Sequence, residues 1–431
     1  RLGLVQAALG SIVVLTTSTL NRIMVVELSL AATIPGALVG LHYGVQIARP
    51  LWGHGSDRGG RRTPWIIGGV ALLALAGTGA ALSVALMAQN FALGLALAIV
   101  DFVLIGAGIG AAGTSLLALL ASSVAPERRP AAATVVWLMM IFGIAFTAVV
   151  SGKFLDPFSM TRLVAVAACA GLAALLLTLV AVWRIEPAVQ VFSEPAAPRA
   201  TFRASLADAW ADPQARLFTI FVFVSMLAYS MQDLILEPFA GLVFAMSPGE
   251  TTTLSGIQNG GVFAGMVLVG VAGSALSRRI PSILKIFTVG GCVLSALALI
   301  AVASSAAAPD WPLTANVFAL GFANGIFAVA AIASMMALAG AAGKDRIGLR
   351  MGLWGAAQAI AFGLGGFTGT VAVDLLRAVG TSVPLAYAGV FLLEAAIFLV
   401  AAAVALRIAR SGARGNSIFD KGGPAALQAA E

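Results

Sequence analysis

Charge is what this chain lacks most. Only 10% of its 431 residues are Asp, Glu, Lys or Arg, where a soluble protein carries about 25%. That deficit excludes a water-soluble globular domain, whose surface would be one continuous apolar patch. Histidine and cysteine are nearly missing too, with two of each. Cys169 and Cys292 stand singly inside apolar runs. This excludes a disulfide framework and a thiolate metal site, and leaves buried free thiols. His42 and His54 fall within one short stretch, so no Ser-His-acid set or metal-ligand cluster can be assembled. There is no phosphate loop, and enzyme chemistry is not expected. The net charge of +7 invites a nucleic-acid reading. The basic residues are instead dispersed in short loops between apolar runs, as topology signals are, and no nucleic-acid partner is expected.

What the chain has in abundance is hydrocarbon. Sixty per cent of it is hydrophobic, in runs of roughly 20 residues, each long enough to cross a core of about 30 Å. Transmembrane β-strands would be about 10 residues of alternating polarity, so a β-barrel is excluded. The runs predict an all-α integral membrane protein with spans at 3–25, 31–50, 64–86, 92–121, 131–152, 162–184, 214–236, 253–275, 284–305, 313–340, 350–376 and 384–407. The chain begins at Arg1, so residues are expected to precede it. Its first run keeps polar residues through Asn21-Arg22 and reads as a span, not a signal peptide. With both termini on one side, 21 of the 25 Lys and Arg residues fall on that side. That side is therefore expected to be cytoplasmic. The proline-bearing stretch 185–213 reads as a cytoplasmic linker with one short surface helix, FRASLADAWADP. It divides the chain into halves at 1–184 and 214–407, followed by a tail at 408–431.

The halves echo one another. LNRIMVVEL closes the first span and MQDLILEPF the seventh; GHGSDRGGRR follows the second span and GSALSRRIP the eighth. Repeats of six spans are the plan of many secondary transporters. The loop Gly53-His54-Gly55-Ser56-Asp57-Arg58-Gly59-Gly60-Arg61-Arg62 resembles the signature of the major facilitator superfamily, which implies a twelve-helix fold in two six-helix halves. Gly53 lets helices approach, Asp57 suits a cation or a helix start, and Arg58, Arg61 and Arg62 suit an anionic leaflet. Together they predict a cytoplasmic latch. Ser277 stands where the second copy would have its Asp, so the latch should be stronger in the first half. Further stretches, RLGLVQAALG, LHYGVQIARPLWGHGSDRGGRRTPWIIGG and GIGAAGTSLLALLA, are similar to the bacteriochlorophyll delivery family, also called the PucC and LhaA family. VVLTTSTLNR with HYGVQ looks more like the PucC branch. The resemblance implies a factor in the photosynthetic inner membrane that supplies bacteriochlorophyll, and carotenoid as a second pigment, to nascent light-harvesting polypeptides. Pigment-synthesis enzymes are further implied partners. The other reading is a proton-coupled carrier of a small amphipathic solute.

Individual polar residues then become candidates. His42 lies inside the second span with Gln46 one turn on, at i+4. Imidazole is the usual axial ligand of a chlorophyll magnesium, so His42 is expected either to face lipid or a groove as that ligand, or to hydrogen-bond inside the bundle. Asp101 and Glu394 each lie about ten residues into a span, where a charge costs at least ~2.5 kcal/mol on insertion scales. They read as protonated structural groups, or as proton-coupling sites in a carrier. Arg22 and Asp233 hold matching positions, each followed by a Glu, Glu27 and Glu237. The four are expected to form a periplasmic ion-pair network. Gly108 to Gly113 spells a formal dinucleotide motif, but inside a membrane helix its glycines, with Gly106, mark close packing. The same holds for FGLGGFTG from Phe362 to Gly369. The phenylalanine-rich stretches at 218–223 and 391–398 read as lipid-facing or packing surface.

Overall fold

The computed structural model describes residues 1–48, 52, 61–125, 128–186, 210–276, 279–280, 282–308, 310–341 and 347–412. Among the described residues twelve main helices follow one another: α1 (Leu2–Glu27), α2 (Thr33–Val45, extended by the 3-10 turn Gln46–Ala48), α3 (Thr63–Met87), α4 (Phe91–Ser123), α5 (Arg129–Leu155) and α6 (Met160–Val182). The second six are α7 (Pro213–Phe244), α8 (Pro248–Leu276), α9 (Ile283–Ser304), α10 (Leu313–Ala341), α11 (Ile347–Ala378) and α12 (Val383–Gly412). Eleven are long and apolar enough to cross a membrane. The remaining one, α2, runs into residues outside the described set. There are no strands among the described residues. Helices are what lipid requires, because they satisfy every backbone polar group within one segment.

Local chemistry sets the helix ends. The side chains of Asn90, Ser159 and Asp212 accept from backbone N–H groups in the first turns of α4, α6 and α7, which supplies partners that the helix cannot. Ser247 and Glu250 form a reciprocal capping box at the start of α8. Gly380, at φ 88°, turns the chain away from α11, a conformation open to glycine without strain.

The packing is two-fold. In the first half, α1 packs on α5 and α6, α3 on α4 and α6, and α2 on α4. In the second, α7 packs on α11 and α12, α9 on α10 and α12, and α8 on α10. Each contact of the second half is one of the first with six added to both labels. The seam between halves obeys the same rule, with α5 on α8 and α11 on α2. This is the major facilitator fold in two six-helix halves.

The two cores differ in content. Phe218, Phe221, Phe239, Phe327, Trp354, Tyr387, Phe391 and Phe398 are all buried in the second half. In the first half Phe102 is the one large aromatic of the buried cluster, among Val, Leu, Ile and Ala. The phenylalanines at 218, 221, 391 and 398 are therefore core, so of the two readings of these stretches packing holds and lipid-facing does not. The glycine motifs do pack closely. Gly106 lies under the His42 carbonyl and Gly110 under the Trp52 indole, while Gly363 meets Tyr43 and Gly365 meets Ser230. Gly53, Asp57, Arg58 and Ser277 lie outside the described residues, as do most of the linker and the tail.

Candidate functional site

The seam is built from α1 outward. Two stretches of α1, Leu15–Thr19 and Ile23–Glu27, are wound as π-helix. Such turns carry an extra residue and cluster at functional positions. They turn polar groups toward the second half. Asn21 Nδ2 donates to the Leu234 carbonyl at 2.7 Å, and the Thr19 and Thr252 hydroxyls meet at 3.1 Å. Arg22 is buried; it pairs with Glu27 on its own helix, and its Nη2 donates to the Met246 carbonyl at 2.8 Å. Glu237 instead accepts from the Ser255 hydroxyl at 2.6 Å. Asp233 lies beside Tyr229 and Glu394. Of the expected four-membered network, Arg22 and Glu27 form the ion pair, Glu237 lies within the electrostatic reach of Arg22 across the seam, and Asp233 stands apart beside Glu394. Helix winding decides this: the π turns bring Glu27 back over Arg22.

Two further carboxylates, missed in the sequence, clamp the same end of the bundle. Asp374 in α11 accepts from the backbone N–H groups of Ala32 and Thr33 at 3.2 and 2.7 Å, and from the Thr33 hydroxyl at 2.6 Å. Asp156, just after α5, accepts from Gly249 N–H at 3.2 Å and from the Ser247 hydroxyl at 2.6 Å. Each aspartate caps the N-terminus of a helix in the other half, where orphan N–H groups and the helix dipole favour an anion. The two clamps are related by the two-fold pattern. They sit at the arginine-poor end.

At the arginine-rich end Arg62 turns inward. Its Nη1 donates to the Ala118 carbonyl and the Ser122 hydroxyl at 2.8 and 2.7 Å, at the C-terminal end of α4. Glu186 accepts from the backbone N–H groups of Arg62 and Thr63 and so caps α3. Arg62 thus ties α3 to α4 rather than facing outward, while Arg61 is exposed. Beside this tie, Trp52, Pro64, Trp65, Gly68, Leu72, Ala107 and Ala111 line an apolar cleft of about 330 Å³.

The intramembrane candidates separate sharply. His42 is 1% exposed, and its Nε2 lies 2.9 Å from Gln46 Nε2. The ring is therefore turned into the bundle, which corrects the lipid-facing expectation: Gly106 lets α4 press on this turn of α2 and covers it. Glu394 is fully buried against the backbone of Gln232 in α7. Asp101 is half-buried at the margin of the α3–α4 groove. The Ser83 hydroxyl donates to its Oδ2 at 2.6 Å, while Oδ1 sits over the bare Cα of Gly79.

Comparison with known proteins gives this architecture a family. The chain is 54% identical over 417 residues to the Rhodobacter capsulatus protein named Bacteriochlorophyll synthase 44.5 kDa chain, covering 96% of each. It is 31% identical to Protein PucC of Rhodobacter capsulatus, over 96% of this chain and 92% of that one. With Protein PucC of Cereibacter sphaeroides the identity is 30%, over 95% and 92%. Among solved structures, a bacterial homolog of the human lysosomal transporter Spinster aligns in two inward-facing forms. The unoccupied form has TM-score 0.65 and 14% identity over 100% of this chain and 95% of that one. The occupied form has TM-score 0.68 and 15% identity over 96% and 97%. These two speak to the fold alone. The sequence model of the family described as PUCC protein matches residues 19–413, and with that coverage the chain belongs to the PucC family, as a multi-pass membrane protein of facilitator fold.

Proposed function

We propose that this protein is an assembly factor for bacterial light-harvesting complexes, which binds bacteriochlorophyll and delivers it to nascent antenna polypeptides. The observation that carries this reading is the relative 54% identical over 96% of both chains, whose name ties it to bacteriochlorophyll. The same name favours pigment-synthesis enzymes as upstream partners; antenna polypeptides downstream and carotenoid as a second cargo complete the proposal. The distribution of arginines supports a placement with both termini cytoplasmic, in the photosynthetic inner membrane. The halves at 1–184 and 214–407 would then be joined by a cytoplasmic linker, with the tail on the same side.

The molecule's flank suits such a cargo. Bacteriochlorophyll is soluble in lipid and can reach a site on the outside of the bundle without crossing it. The cleft between Trp52, Trp65 and Ala111 is apolar and has aromatic walls, which suit a flat ring or its hydrocarbon tail. His42 and Gln46 would act behind this surface, holding α2 against α4. No chemical conversion of the pigment is assigned to the chain.

The test is optical. Protein purified from a pigment-making host should carry a near-infrared bacteriochlorophyll band in proportion to protein. A colourless preparation that instead takes up a small amphipathic solute into vesicles, saturably and with protons, would replace this reading with that of a solute carrier.

A further inference from the structure

Acidic residues inside membrane spans almost always face the bundle interior or a water-filled cavity. Glu237 and Glu394 obey that rule, at 1% and 0% exposure. Asp101 breaks it. It lies ten residues into α4, about 15 Å along the helix and so near the middle of a core of about 30 Å. Yet it sits at the outer edge of the α3–α4 groove, with exposed Leu97 and Leu104 on its own helix face and exposed Leu75 and Leu82 on α3. The groove is shaped around it. Ser83 is buried and fixes Oδ2. A side chain at position 79 would place its Cβ 2.5 Å from Oδ1, so Gly79 makes the space that Oδ1 fills. Among the described residues, Oδ1 accepts no hydrogen bond and is not sealed from the surface.

We infer that Asp101 Oδ1 is the axial ligand for the magnesium of a bacteriochlorophyll bound on the lipid-facing side of α3 and α4. This rests on the pigment reading and gives that cargo a site. Magnesium is a hard cation that takes oxygen ligands, carboxylates among them. No group of three or more His, Cys, Asp or Glu that could hold a bare ion occurs among the described residues. A tetrapyrrole needs none, because the macrocycle supplies the equatorial nitrogens and leaves one axial position to the protein. A single carboxylate oxygen, with its partner oxygen held by a hydrogen bond, meets that need as an oxygen donor in place of the more usual imidazole. The flanking leucines offer the ring an apolar bed, and the bilayer accepts its tail. His42, enclosed and shared with Gln46, leaves this role to Asp101.

The experiment titrates the purified full chain with bacteriochlorophyll a and with its magnesium-free counterpart, bacteriopheophytin a. Binding is read from near-infrared absorption, and magnesium coordination from resonance Raman spectra. Wild type should prefer the magnesium pigment by at least about tenfold, roughly 1.4 kcal/mol. Asp101→Leu, paired with Ser83→Ala so that no buried hydroxyl is left unpartnered, should lose the preference. Asp101→His should regain it with a changed coordination signature. Equal binding of both pigments by wild type, or an undiminished preference in Asp101→Leu with Ser83→Ala, would overturn the site and leave the pigment reading standing. Wild type binding neither pigment would remove both.

Discussion

Asp156 and Asp374 carry more of the seam than the charged residues that stand out in the sequence. Arg22, Glu27, Asp233 and Glu237 were legible as a set because they repeat between halves. Their pairing was not legible, because it depends on π turns that no residue type announces. Asp374 lies alone in an apolar helix, and its partners are backbone N–H groups more than 340 positions away; nothing in the local sequence points to them. Loss of a capping side chain costs about 0.5–2 kcal/mol. The clamps lie in separate pairs of helices and share no partner, so their losses should add. Asp156→Ala with Asp374→Ala should widen the arginine-poor end. Spin-label distances between α5 and α8, and between α2 and α11, measure this; distributions that match wild type would show that the clamps hold nothing. Arg22→Gln is expected to lower the thermal midpoint of the purified protein, because it removes the Met246 carbonyl's partner. That acceptor is part-buried, so its loss should cost less than the roughly 1–3 kcal/mol of a fully buried unsatisfied group.

At the scale of helices, existence was plainly written, while several helices run past the expected ends, as α7 does from 236 to Phe244. Each span is a long apolar run, and every expected span overlaps an observed helix. What each helix faces was not written. In lipid both the packed and the exposed faces are apolar, so hydrophobic patterning no longer distinguishes inside from outside. That is why the phenylalanines of α7 and α12 read as lipid-facing or packing alike, and why the inward turn of His42 was open. Glycine spacing is the signal that survives, because close approach needs a bare Cα. Gly152 and Gly249 face each other across the seam; a Cβ on Gly152 would collide with Thr253 Oγ1 and lie 2.6 Å from the Gly249 carbonyl. Gly152→Val should therefore push α5 off α8 and destabilise by about 1–3 kcal/mol, as overpacking does. Gly68→Leu is the matched comparison, because a Cβ at Gly68 meets nothing within 4 Å. A thermal unfolding series should show a lowered midpoint for the first and little change for the second.

For the molecule as a whole, span count and two-fold plan were legible from charge bias and paired motifs, and the packing repeats them contact by contact. How the fold serves its cargo was not legible, since a facilitator bundle suggests a path through the centre. The inferred pigment site makes a different demand. Asp101, Ser83 and Gly79 belong to α3 and α4, while the seam is made by α5 with α8, α2 with α11, and α1 with α7 and α8. Pigment binding should then be independent of seam motion. Asp156 and Ser247 are hydrogen-bonded across that seam, so cysteines in their places should bridge, provided the Cα separation suits a disulfide. With Cys169 and Cys292 replaced by Ala, Asp156→Cys with Ser247→Cys gives one oxidisable pair at the arginine-poor end. Oxidation, confirmed by a gel shift, should leave the amount of bound bacteriochlorophyll unchanged, because the ligand and its groove do not cross the seam. Transfer of pigment to an antenna polypeptide should also continue in the oxidised protein if cargo stays on the flank. Transfer that stops on oxidation and resumes on reduction would show that the halves must rock for release, and would route the pigment through the seam instead.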